Sequence, residues 1–220
     1  LQNSDYHITY SYKTIQQVNW NEEWEKNFSP ITVGDLCTVR ATFHEAANTP
    51  YEIIIDPKMS FGTGHHETTY MMLQFLLKED LSHKKVLDMG CGTSVLAIMA
   101  EKRGATDVTA IDIDEWCVEN SAENIARNAC KHIQVLLGDA SALAQFNHFD
   151  FIIANINRNI LLSDIPLYSN VLADEGILLL SGFYESDMPA IVEKAKECGL
   201  SFVENIERNN WVAVKLKKTK

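Results

Sequence analysis

The sequence predicts an α/β fold, a doubly wound, seven-stranded, mostly parallel sheet with one antiparallel edge strand. Three observations carry that expectation. From residue 84 onward, short apolar runs alternate with stretches of helical spacing, the order that builds a parallel sheet with helices on both faces. One run, Val86 to Met89, passes through Gly90 and Gly92 directly into a helical stretch. The last two runs, Phe202 to Ile206 and Trp211 to Leu216, are joined too tightly for a helical crossover, which places an antiparallel strand at one edge.

Taken in order, Tyr6 to Lys13 alternates and reads as a strand. Trp20, Trp24 and Phe28 then share one face of a helix, opposite Glu22, Glu23 and Lys26. That face reads as a packing anchor, with an aromatic grip on a cation as the alternative. Pro30 and Gly34 break the chain. Leu36 to Phe43 and Tyr51 to Ile55 form a pair of strands around the polar loop Glu45 to Pro50. The glycine-rich stretch Phe61-Gly-Thr-Gly-His-His-Glu-Thr-Thr69 opens an apolar helix from Tyr70 to Leu77. After the Val86 strand and its helix, Val95 to Arg103, strands follow at Val108 to Ile111, Ile133 to Leu137, Phe149 to Ala154 and Ile177 to Leu180. Helices at Glu115 to Asn128, Asn159 to Leu172 and Asp187 to Cys198 lie between or after them, and Pro166 is expected to bend or interrupt the second.

At 220 residues the chain has room for one full α/β domain and a small appendage. Its 46% hydrophobic and 22% charged residues are the make-up of a globular protein. No apolar run nears the roughly 20 residues that cross a bilayer. The balance of 19 basic against 30 acidic residues, net −11, disfavours a broad nucleic-acid footprint and suits either solubility or a basic protein partner. Cys37, Cys91, Cys117, Cys130 and Cys198 are odd in number and lack a C-x-x-C pair. Neither a disulfide framework nor a zinc site is indicated, and reduced thiols in a cytoplasmic protein fit best. His65, His66 and Glu67 lack metal-ligand spacing, so no metal is expected. A chain that opens on Leu1 inside a strand-like pattern reads as one whose start has been removed.

In a doubly wound sheet, ligands sit at the carboxyl ends of the strands. The polar residues Asp88, Asp112, Asp139 and Asn155 fall there. Gly90 and Gly92 would let the backbone approach a ligand, with free amides at the following helix N-terminus. Val95 replaces the third glycine of the dinucleotide fingerprint, and Asp88 suits an amino group better than a pyrophosphate. Asp112, roughly 20 residues beyond the glycine turn, can accept both ribose hydroxyls of a nucleoside. Asp139 reads equally as an adenine contact or a turn residue. Asn155 ends an apolar strand where no structural need for an amide is evident. A helix cap is its bland reading, and its place at the strand end favours function. Phe61, Gly62 and Thr63 belong to a second glycine loop suited to a polar ligand.

Phe61 to Thr69, Val86-Leu-Asp-Met-Gly-Cys-Gly-Thr-Ser94, Ile111-Asp-Ile-Asp114, Ile153-Ala-Asn-Ile156 and the closing Trp211 together resemble the PrmA family. Those enzymes methylate a lysine-rich stalk-base protein of the large ribosomal subunit. The resemblance runs from about Asn19 to the end. It implies a class I, Rossmann-like fold, and S-adenosyl-L-methionine (AdoMet) as methyl donor. It also implies transfer to lysine and α-amino nitrogens of that ribosomal protein. Cofactor contacts at Thr69, Gly90, Asp112 and Asn155 are implied. From its place at the strand end, Asn155 is also expected to accept a hydrogen bond from the amine and orient it. A monomer that contacts neither nucleic acid nor membrane is expected. By the same resemblance, residues 1–18 would be the remnant of an N-terminal recognition domain, 19–35 a linker helix, and 36–220 the catalytic domain. The chain departs from the family pattern at His65 to Glu67, where Thr-His-Pro is usual, and at Ser94, where glycine is usual. Ile156-Asn157 in place of a proline pair argues against a nucleobase acceptor. The alternatives are an AdoMet-dependent N-methyltransferase of another protein or a small molecule, a non-catalytic AdoMet-binding module and, more remotely, a dehydrogenase.

Overall fold

The computed structural model describes residues 29–56, 58 and 60–219, with Tyr10. The strand expected around Tyr6 to Lys13 and the Trp20 to Phe28 helix fall outside these residues, Tyr10 apart. Three short strands come first, β1 (Ile31–Val33), β2 (Cys37–Arg40) and β3 (Tyr51–Ile54), followed by helix α1 (Glu67–Lys78). The glycine turn joins β4 (Lys85–Met89) to α2 (Val95–Lys102). Next come β5 (Asp107–Asp112), α3 (Glu115–Arg127), β6 (Ile133–Leu137), β7 (Phe149–Asn155) and α4 (Arg158–Val171). The chain finishes with β8 (Leu172–Tyr184), α5 (Met188–Glu197), β9 (Leu200–Arg208) and β10 (Trp211–Lys218).

The expected large sheet is present, with strands in the order β6-β5-β4-β7-β8-β10-β9. The β6, β5, β4, β7 and β8 neighbours pair in parallel, and β10 is antiparallel to both β8 and β9. Its central strands are nearly all apolar because both faces are covered. Helices α1, α2 and α3 share one core with the small sheet, and α4 and α5 share the other.

Side chains of a strand alternate between faces, and here that parity places the polar residues. Val86 of β4 packs toward α1 and α2, while Leu87 and Met89 pack toward α4. In β5, Val108 and Ala110 join the first core and Ile111 the second. In β7, Ile153 joins the first, and Ile152 and Ala154 the second. Asp88, Asp112 and Asn155, one step out of phase with their apolar neighbours, therefore all turn toward the α1–α3 face.

Several expectations need correction. Within the 19–35 span read as a linker helix, Ile31–Val33 forms β1, which pairs with β2. The two strands read over 36–43 and 51–55 are shorter, and they pair in parallel, with Cys37 opposite Tyr51. Parallel neighbours normally need a crossover of about a dozen residues or more. Here Arg40 holds the short connection in shape. Its Nε donates to Glu52 Oε1 at 2.7 Å, and its Nη1 donates to the carbonyls of Ala41 and His44, each at 3.1 Å. Helix α4 runs unbroken through Pro166; Leu162, whose carbonyl loses its helical donor, is half-exposed. Among the described residues no helix is long and apolar enough to cross a membrane.

The free edge of β3 is closed by a side chain. Asn128 Oδ1 accepts from Ile54 N at 2.9 Å and Nδ2 donates to Ile54 O at 2.7 Å, as a neighbouring strand would. Asn128→Ala leaves both groups unpaired and should cost about 2 kcal/mol. A lower urea midpoint with unchanged slope is the expected result.

Candidate active site

The carboxyl ends of β4, β5 and β7 open into a cavity of about 380 Å³, a size suited to a small ligand. Of the residues singled out from sequence, Phe61, Gly90, Gly92, Asp112, Asp139 and Asn155 line it. Asp112 is buried and shapes the glycine turn. Its Oδ2 accepts from Gly92 N at 2.8 Å, and its Oδ1 accepts from Asp114 N at 3.1 Å. Asp139 accepts from Ser141 Oγ and from Ser141 N, the latter at 2.9 Å, and these bonds lower its carboxyl pKa. It is thus both a turn residue and a wall of the cavity.

The glycine turn differs in one respect from a phosphate loop. Gly90 N and Cys91 N donate to Ile111 O at 2.8 and 3.1 Å, Gly92 N to Asp112, Thr93 N to Phe61 O at 2.9 Å, and Ser94 N to Cys91 O at 2.7 Å. The amides that would cradle a pyrophosphate are already bonded within the protein. The anion place at the start of α2 is taken by Asp88, whose Oδ2 accepts from Ala97 N at 3.0 Å. Asp88 was expected to meet a ligand amino group. Instead it is buried behind the turn: it lies level with Ala110 and Ile153, two residues short of Asp112 and Asn155, where the start of α2 covers that face.

Gly62, Thr63 and Thr69 also stand off the wall. Gly62 O accepts from Thr93 Oγ1, Thr63 Oγ1 pairs with His65 Nδ1, and Thr69 is buried behind Asn155. Asn155 Nδ2 donates to Thr69 Oγ1 at 3.2 Å. Asn155 Oδ1 is buried and has no hydrogen-bond partner among the described residues. The N-cap of α4 is the next residue but one, Asn157, which accepts from Ile160 N. The capping explanation for Asn155 is therefore removed.

Asn155 also borders a second hollow of about 270 Å³, together with Phe61, His66, Thr68, Ile156, Asn157, Gly182 and Trp211. Three of its rings stand in series, with centroids 5.3 Å apart for Phe61 and His66 and 4.7 Å for His66 and Trp211, and Tyr184 continues the series beyond it, 4.2 Å from Trp211. Phe61, Asn155 and Ile156 border both hollows. Gly90 makes room for Ile156 at their boundary, because at φ +72° a Cβ there would lie 2.3 Å from Ile156 Cγ2. Sequence reasoning did not single out Ile113, Trp116, Ile160 or Asp164 on the first cavity, nor Gly182 on the second. Only their proximity in the fold marks them, although Ile113 and Ile156 each adjoin a residue that was recognised.

The model of the ribosomal protein L11 methyltransferase (PrmA) family matches residues 1–219. The chain belongs to that family. It is 55% identical over 213 residues to the ribosomal protein L11 methyltransferase of Phocaeicola vulgatus, covering 96% of this chain and 76% of that one. The Porphyromonas gingivalis protein of the same name is 54% identical over 208 residues, covering 94% and 72%. Among solved structures, the ribosomal protein L11 methylase of Lactobacillus delbrueckii subsp. bulgaricus superposes with a TM-score of 0.80 at 25% identity. That match covers 88% of this chain and all of the other. PrmA membership makes this chain a methyltransferase with a class I fold and implies catalysis that depends on AdoMet.

Asp88 makes a pH prediction in this PrmA member. Burial, reinforced by Asp112 and opposed by the Ala97 amide, pushes its carboxyl from the ordinary 3.8 up to about 7. The folded state then holds a proton that the unfolded state releases, so the stabilisation is complete at low pH and is lost as pH rises through about 7. Asp88→Asn keeps an acceptor for Ala97 N and cannot titrate. Urea unfolding across mildly acidic to neutral pH should show the variant without the wild-type decline.

Proposed function

We propose that this chain binds AdoMet in the larger hollow and transfers its methyl group to an amine of ribosomal protein L11 presented through the smaller one. The unpartnered, buried Asn155 Oδ1 between the two hollows carries this reading. A buried acceptor without a donor is costly, and an incoming amine brings the missing N–H.

The larger hollow fits a nucleoside that bears an amino-acid tail. Asp112 can accept ribose hydroxyls, and Ile113, Trp116 and Ile160 provide apolar walls for a base. Because the turn's amides are committed inside the protein, a cationic ligand suits it better than a phosphate. AdoMet, when bound, supplies a methyl group already activated on a sulfonium. The protein's task is then alignment of the two reactants. A lysine must first lose a proton to water, its ordinary pKa being about 10.4. Loss of water against Phe61, His66 and Trp211 would disfavour the charged amine, and Asn155 Oδ1 can accept one N–H and so orient the nitrogen. Substrate identity rests on the names of relatives at 55% and 54% identity.

Incubation with methyl-labelled AdoMet and large-subunit ribosomal proteins should place label in L11. Label in another protein, or none, would overturn this acceptor. Asn155→Ala should leave AdoMet affinity within about threefold and lower turnover roughly a hundredfold, the order expected for lost alignment. Wild-type turnover in that variant would remove Asn155 from the mechanism. Gly90→Ala should weaken AdoMet binding in calorimetry, since its Cβ would collide with Ile156 at 2.3 Å.

A further inference from the structure

Phe61 is one of three residues shared by the two hollows, and it is half-exposed, with its ring edge-on to His66 at a centroid distance of 5.3 Å. Its backbone is held by Thr93. Thr93 N donates to Phe61 O at 2.9 Å, and Thr93 Oγ1 donates to Gly62 O at 2.6 Å. Thr93 is fully buried and borders neither hollow. The two loops touch so closely that only glycine fits at the contact. A Cβ on Gly92 would lie 2.3 Å from Phe61 O, and one on Gly62 would lie 2.7 Å from Thr93 Oγ1. From behind, Asn124 Nδ2 donates to Thr93 O at 3.2 Å, and Asn124 Oδ1 accepts from Asp56 N at 2.9 Å. Helix α3 thus fixes the carbonyl side of Thr93, while its amide and hydroxyl fix Phe61 and Gly62.

From this we infer that Thr93 is a positioning residue for the acceptor, acting through Phe61. Its hydroxyl locks the Phe61–Gly62 loop onto the glycine turn and so sets the width of the slot through which the amine reaches the methyl donor. The inference rests on the reading of the smaller hollow as the acceptor site. The donor side should depend on the hydroxyl less: Phe61 is one of many residues on the larger hollow, and the glycine turn there is shaped by Asp112 and Asn124 without it.

Thr93→Val keeps the shape and removes the donor; Thr93→Ser keeps the donor. With L11 as acceptor, the valine variant should lose roughly tenfold to a hundredfold in kcat/KM for L11. Its AdoMet affinity, measured by calorimetry, should change by less than about threefold, and the serine variant should restore most of the loss. Unchanged kcat/KM in the valine variant overturns the inference. So does an AdoMet affinity that falls in step with kcat/KM, or a serine variant no better than valine. A crystal structure of the valine variant reads the same inference without any acceptor. Phe61 displaced from its wild-type position supports it, and Phe61 unmoved overturns it. Wild-type protein silent toward L11 would count against the proposed acceptor, while the Phe61 position would still decide the role of Thr93.

Discussion

The parity of three parallel strands governs this site. A strand buried on both faces has no freedom to slip by one residue, because a slip would exchange every apolar side chain between the two cores. In β4, β5 and β7 that constraint is met by Val86, Ala110 and Ile153 on one side and by Leu87, Ile111 and Ile152 on the other. Asp88, Asp112 and Asn155 inherit their directions from these neighbours. One carboxylate is driven under a helix, one to the turn of the next loop, and one amide to the boundary between two hollows.

The consequences for chemistry follow from which groups are already paired. Asp88 occupies the helix terminus that a phosphate would otherwise seek, and Ile111 O and Asp112 take up the amides of the turn. A loop that resembles a phosphate cradle in its glycines is thereby turned into a site with carboxylate and apolar surfaces facing inward. Asn155 stands at the opposite extreme, holding a buried acceptor that has no donor among the described residues. Buried polar groups are seldom left so, and a reaction centre is where such an atom has a use.

Much of this was legible in the residues themselves. The alternation of apolar runs and helical spacings foretold the large sheet, and the tight β9–β10 connection foretold its antiparallel pairing. Gly90, Gly92, Asp112, Asp139 and Asn155 were recognisable because they fall at strand ends, and those positions do meet at one cavity. Short elements were less legible. β1 has three residues between Pro30 and Gly34, too few for a period to show, and the parallel β2–β3 pairing depends on Arg40 reaching Glu52 and the carbonyls of Ala41 and His44. Pro166 does not interrupt α4, which is held by the core on which Leu161, Ile165 and Tyr168 pack.

By itself the sequence determined the class of fold, the strand ends at which a ligand would gather and the family to which the chain belongs. These follow from local periodicity and from short motifs, which need no knowledge of distant contacts. Only the tertiary structure decided that Asp88 faces a helix and not the cavity, that the turn's amides are committed, that Asn155 keeps one atom unpaired, and that Phe61 divides two hollows under the hold of Thr93. Each of these turns on which partners a polar group finds across the fold. Hydrogen-bond partners distant in sequence, such as Thr69 and Asn155 or Gly62 and Thr93, are chosen by packing, and packing exists only once the chain has closed on itself.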